Sequence, residues 1–149
     1  MTPRLPGLAP GEQVRAAAPA SFRGALAAST RALFAFASER SRNRAYEAWE
    51  RRVSPQFPAA GPEMVIGVTA DALVVWHTSF LWNRPVALAG RLPLGRLYGV
   101  STVRHGIVTG LAIALDDGTI VELEAVRGRR LRRVAAELRA QIAQRRPRA

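Results

Sequence analysis

Catalysis needs ionisable groups that converge, and this chain offers few. Its two histidines, His77 and His105, fall in different strand-like stretches, and there is no cysteine and no acid at ligand spacing beside either. A zinc site takes three or four such ligands. No serine stands in a nucleophile elbow; Ser101 in "YGVST" lacks the required glycine frame. Lysine is absent, which excludes a P-loop. Asp116 and Asp117 serve a turn before Gly118. Glu122 and Glu124 fall on the polar side of an alternating strand. With no convergent pair of tuned groups to name, the expectation is no catalytic residue, no metal and no cofactor, and a binding module rather than an enzyme.

Three clusters carry the chemistry of binding. The first is the arginine-rich end, "VRGRRLRRVAAELRAQIAQRRPRA", with nine arginines and one acid between Val126 and Ala149. Arg127, Arg129, Arg130, Arg132 and Arg133 gather where a helix begins. That end of a helix carries the positive pole of its dipole, so each exposed cation there costs a few tenths of a kcal/mol, about 0.3 or more. Two readings stay open: the solvated side of a structural helix, or an anion site in which free N–H groups and guanidinium groups hold a phosphate. The second cluster is "TSFLWNRP", where Phe80, Leu81 and Trp82 precede Arg84 in a link between strands. As an exposed tip, its three apolar side chains are worth about 5–8 kcal/mol on entering lipid or a partner, before entropy losses, which is a marginal, reversible anchor. Folded back over the sheet, they are ordinary packing. The third is a helical stretch in which Phe34, Phe36, Tyr46 and Trp49 interleave with arginines, the composition of an interfacial helix or of a helix packed with one face on the domain. Phe34 and Phe36 diverge at i, i+2, so one of them is left for a partner surface.

The elements that would position these residues are read from periodicity. At 149 residues and 48% hydrophobic, the chain suits one domain with one sizeable core. Residues 1–11 are rich in proline and glycine and are expected to be flexible. "EQVRAAA" reads as a short first strand that Pro19 ends, with Ser21 capping a helix. From 21 to 53 the pattern is helical, with a bend in "SERSRN", since one straight helix of that length would span about 50 Å against a radius of gyration of about 15 Å. From 63 to 126 the period falls to two. "MVIGVT" and "ALVVWH" flank Ala70-Asp71 as a hairpin. "VALAGRL" and "LYGVSTVR" follow as strands. Ile107, Thr109, Leu111, Ile113 and Leu115 share one face of the next, and "DDG" turns the chain into a return strand with Val121, Leu123 and Ala125 inward. From 128 to 145, Leu131, Val134, Ala135, Leu138 and Ile142 form one apolar stripe of a helix.

Strand, helical insertion, six antiparallel strands and a closing amphipathic helix make an α+β chain: a seven-stranded antiparallel barrel or curled sheet with a C-terminal capping helix. In "VTADALVVW", "LPLGRLYGV" and "LAIALDDGTIVELEAVRGRR", and more weakly in "APGEQV", the chain resembles the bacterial pleckstrin-homology-like (PH-like) proteins of actinobacterial type over about two thirds of its length. The resemblance implies that fold and the character of a binding module, and it brings no established activity. Phosphoinositide-binding PH domains place a basic cluster in the first hairpin. Here the helical insertion between strands 1 and 2 occupies that connection, so their lipid site does not carry over.

The net charge of +11, all of its 22 basic residues arginine, accords with a GC-rich genome. Whatever its origin, it attracts polyanions at low salt. The absence of cysteine, of a signal-peptide core and of a membrane-length apolar run points to a cytoplasmic protein, with peripheral contact to the inner membrane face open. The expected partners are a protein or an anionic membrane surface, met by Phe34, Phe36, Phe80, Leu81, Trp82 and Arg84. The alternative is nucleic acid, met by Arg127, Arg129, Arg130, Arg132 and Arg133. A small-molecule carrier ranks below both, because barrels of this size are filled by side chains.

Overall fold

The computed structural model describes residues 5–22, 57–58, 63–78 and 84–145. Seven strands, β1 (Ala16–Phe22), β2 (Glu63–Val68), β3 (Ala72–Thr78), β4 (Pro85–Pro93), β5 (Leu97–His105), β6 (Val108–Leu115) and β7 (Ile120–Val126), are followed by one helix, α1 (Arg129–Arg145). The strands form a single sheet in the order β4-β3-β2-β1-β7-β6-β5, antiparallel at every pairing. This is the PH-like arrangement of a curled sheet with a C-terminal helix. The helical insertion expected between β1 and β2 lies, from residue 23 onward, outside the described residues.

The sheet curls without closing. Its two edges, β4 and β5, are consecutive in sequence and joined by a 3-10 turn, Leu94–Arg96. That turn stitches one end of the sheet. The Leu94 N–H donates to the Asp71 carbonyl at 3.0 Å, and the Asp116 N–H donates to the Arg96 carbonyl at 2.9 Å. Three connections, β2–β3, β4–β5 and β6–β7, therefore meet there. The β6–β7 turn forms as its residues require: Gly118 takes φ +85°, and Asp117 Oδ1 accepts from the Thr119 N–H at 2.9 Å.

The first strand corrects the sequence reading. Pro19 does not end β1; it sits within it, opposite Val65 of β2. Ser21 is no helix cap but a strand residue facing Glu63 on one side and Glu124 on the other. A proline fits here because β7 flanks β1 only at Ser21 and Phe22, leaving the rest of that side without a ladder to break. At the end of β1, the ring of Phe22 meets that of Phe57 edge to face, 5.8 Å apart.

Side chains fill the inside of the curl. Met64, Ile66, Val68, Leu73, Val75, Leu111, Ile113, Leu115, Val121 and Leu123 form one buried cluster with the α1 stripe of Leu131, Val134, Ala135, Leu138 and Ile142. Ile107, expected to share the inward face of β6, lies just before that strand and is 71% exposed. The period was right, but Ile107 belongs with Gly106 to the turn between β5 and β6, past the end of the core.

The outer face of β2–β4 is covered as well. Val65, Val74 and Trp76 form a second buried cluster with Leu5, Leu8, Val14 and Leu88. The N-terminal stretch, expected to be flexible, instead lies across this face from Leu5 onward. The Trp76 indole N–H donates to the Pro6 carbonyl at 2.9 Å, and Arg91 donates to the Gly7 carbonyl at 3.0 Å. Two further N–H groups of Arg91 hold both carboxylate oxygens of Glu12, at 2.6 and 2.5 Å, the paired geometry that suits a guanidinium to a carboxylate. Those bonds, with a third from the Ala9 N–H, hold the Glu12 carboxyl below its ordinary range.

Candidate anion-binding site

The arginines of α1 divide by the direction in which the helix presents them. Arg139 and Arg145 are committed to the sheet. Arg139 donates to the Val100 carbonyl at 3.3 Å and to the Thr102 hydroxyl at 3.1 Å, at the edge strand β5. Arg145 donates to the Ala70 carbonyl at 2.8 Å and lies 3.5 Å from Asp71 Oδ1. Both serve docking, and Arg145 sits at the helix end that favours a cation.

Arg130 and Arg133 face a different neighbour. With Ala136 and Glu137 they form one wall of an open groove of about 640 Å³, whose other wall is Leu5, Val14, Arg15, Ala16 and Ala17. The fold thus brings together a basic residue just before β1 and two in the first turns of α1. Glu137 is the one carboxylate among these residues. It is held by Arg15 at 3.4 Å and by the Gln141 amide at 3.2 Å. Three guanidinium groups against one carboxylate leave the groove net positive, and Leu5, Val14 and the alanines make its sides apolar.

The start of the helix is bare of acid: no Asp or Glu occupies its first turn. Gly128 is the capping residue, since its carbonyl accepts from the Arg132 N–H at 2.9 Å. The Arg127 N–H is bonded to the Ile107 carbonyl at 2.9 Å, and Arg129 N–H to the Arg127 carbonyl at 2.7 Å. The next two N–H groups, of Arg130 and Leu131, have no acceptor among the described residues. Glu122 lies on β7, the strand leading in. It alternates with buried Val121 and Leu123, so it faces away from the side on which α1 packs.

Of the residues singled out in the sequence, Arg127, Arg129, Arg130, Arg132 and Arg133 are all exposed around this helix start. Arg130 and Arg133 line the groove, while Arg129 and Arg132 do not. Arg84 is exposed just before β4. Phe34, Phe36, Phe80, Leu81 and Trp82 lie outside the described residues. Sequence reasoning missed Arg15, because nothing local ties residue 15 to residue 137. It also missed Arg104, which stands opposite Thr109 across β5–β6. The signal available for Arg104 was its place at the end of a strand whose partner could be aligned by counting back from the hairpin. No group of three or more metal-ligating side chains gathers among the described residues, and none of their helices is long and apolar enough to cross a membrane. Neither a protein-family model nor any curated protein matches the chain.

Proposed function

We propose that this chain is a non-enzymatic binding module of the bacterial PH-like type it resembles, and that it recognises an acidic segment of a protein partner in the groove between β1 and α1. The observation that carries this reading is the meeting of Arg15, Arg130 and Arg133 on two walls of one concave, apolar-sided groove. A groove of that shape receives a chain that brings carboxylates to the arginines and aliphatic groups to Leu5 and Val14. A bilayer presents no such ridge, and a duplex is too wide to enter. Glu137 adds selectivity, since it repels an anion placed over it and accepts a donor from the incoming segment. The compartment is the cytoplasm, in keeping with a chain without cysteines. Peripheral contact with the inner membrane face would come through the Phe80–Arg84 link.

A second reading, capture of nucleic acid, is favoured by Arg129 and Arg132, which are exposed on α1 and have no partner among the described residues. The two separate in one experiment. Fluorescence anisotropy is measured for a labelled Asp/Glu-rich peptide and for a short duplex DNA, each across a salt series, with wild type, Arg15→Gln and Arg129→Gln. Groove recognition weakens the peptide with Arg15→Gln and leaves it unchanged with Arg129→Gln. Duplex binding that exceeds peptide binding, ignores Arg15 and falls steeply with salt sinks the groove reading.

A further inference from the structure

Thr109 is the least expected residue at the start of the helix. It is 5% exposed, and its hydroxyl has no hydrogen-bond partner among the described residues. A buried hydroxyl without a partner is costly and uncommon in a folded protein. It is pressed against the helix cap: a Cβ placed on Gly128 would lie 2.8 Å from Thr109 Oγ1 and 2.5 Å from its Cβ. The glycine is what lets the helix begin directly over this hydroxyl.

Around it stand the other donors. The N–H groups of Arg130 and Leu131 are without acceptors one and two residues further on. Arg104 faces Thr109 across the β5–β6 pairing and so stands on the same side of the sheet. It is exposed and has no partner among the described residues. Arg127 and Arg129 flank the cap, and Arg130 follows them. Two backbone donors at the positive end of a 17-residue helix, one buried hydroxyl and cations from two separate elements are the donor set that a tetrahedral oxyanion satisfies.

We infer that the start of α1 is a phosphate-binding site, in which Thr109, the N–H groups of Arg130 and Leu131, and the Arg104 guanidinium hold a phosphomonoester carried by the acidic segment bound in the groove. The inference rests on the groove reading above and deepens it. Arg130 belongs to both, with its side chain on the groove wall and its N–H at the helix start. A phosphorylated side chain at one end of the bound segment therefore reaches the helix while the rest lies along Arg133 and Arg15. It also accounts for the cations at the unfavourable end of the helix dipole: with a dianion between them and the N–H groups, their sign is the right one.

The test uses the full chain at about 150 mM salt, where weak surface attraction is screened. Inorganic phosphate is titrated while backbone amides are followed by NMR. An acidic peptide is then compared with and without one phosphoserine by calorimetry, with phosphatidic-acid vesicles as a third arm. Shifts centred on Arg130 and Leu131, and a phosphopeptide preferred over both its parent and the vesicles, are the expected result. Thr109→Val is the decisive variant. A purely structural Thr109 leaves phosphate binding unchanged and stability equal or higher, whereas a ligand hydroxyl costs about tenfold in phosphate affinity, the worth of one charge-assisted hydrogen bond. Arg104→Gln, on an exposed side chain, weakens phosphate binding without a change in thermal stability. Peptide binding in the groove with no phosphate shift at Arg130 and Leu131 overturns the phosphate site alone. No binding of either peptide overturns the groove reading with it. Equal binding of vesicles and phosphopeptide overturns the assignment to a protein-borne phosphate.

Discussion

The ring of Trp76 lies against the backbone of Gly67, so closely that a Cβ on Gly67 would come within 2.7 Å of Trp76 Cζ3 and 2.9 Å of Cη2. The contact is held from above, because the same indole is bonded to the Pro6 carbonyl. A fully buried ring on the outer face of a sheet is possible only where a glycine admits it and a further layer covers it.

Gly67→Ala therefore costs about 1–3 kcal/mol through overpacking against an immovable ring. Gly99→Ala, where a Cβ meets nothing within 4 Å, stays within about 0.5 kcal/mol of wild type. Urea denaturation of the two variants checks the difference. Equal midpoints would show that the ring can move aside.

The Glu12–Arg91 pair makes the N-terminal layer sensitive to acid. The folded Glu12 carboxyl is held below its usual range of about 4.5, chiefly by its bonds to Arg91. The sign follows: the stabilisation is fully present above the unfolded value and is lost as pH falls through the lowered folded one. Exchange of the Arg15 amide, bonded to the Val68 carbonyl at 2.8 Å, should accelerate relative to strand interiors as pH drops below about 4.5. Glu12→Gln should remove that pH dependence. A wild-type profile matching the variant's would mean the pair does not hold the layer.

The two sides of α1 differ sharply in energetic weight. Leu138 is wholly buried, and Leu138→Ala should cost about 2–5 kcal/mol. Arg132→Ala, on the exposed side, should change stability by no more than about 0.5 kcal/mol. Thermal denaturation at fixed pH distinguishes them.

At the far end of the helix, the carbonyl bond outweighs the ion pair. The Asp71 side chain is 89% exposed, so Asp71→Asn should be nearly silent. Arg145→Ala also loses the 2.8 Å bond to Ala70 and should cost about 0.5–1.5 kcal/mol. If the two variants prove equal in a chemical denaturation series, the carbonyl bond contributes nothing.

The elements legible in the sequence were those whose signal is local. The β6–β7 hairpin announced itself through alternation on both sides of a glycine turn, and α1 through a stripe at helical spacing that the structure buries residue for residue. Where an element depends on distant neighbours, local reasoning misled. Pro19 reads as a stop in any window around it, yet it is accommodated because β7 pairs with β1 only at Ser21 and Phe22. The apolar run of β3 did carry a signal for the covering layer, since a strand apolar at successive positions must be buried on both faces. What covers the second face was not readable from it.

For the candidate site, composition and periodicity by themselves determined a surplus of arginine, its density at the start of the last helix, and the absence of acid in that first turn. These follow from residue order over a few turns, where physics acts between near neighbours. Only the tertiary structure decided which arginines are committed to the sheet, and that Arg15 meets Arg130 and Arg133 across a groove. It also decided that Thr109, Arg104 and Gly128 come together beneath two free N–H groups. Those meetings join residues up to 118 positions apart, Arg15 and Arg133, in the 149-residue chain, and it is the register of a curled sheet, set by its buried face, that brings them to one place.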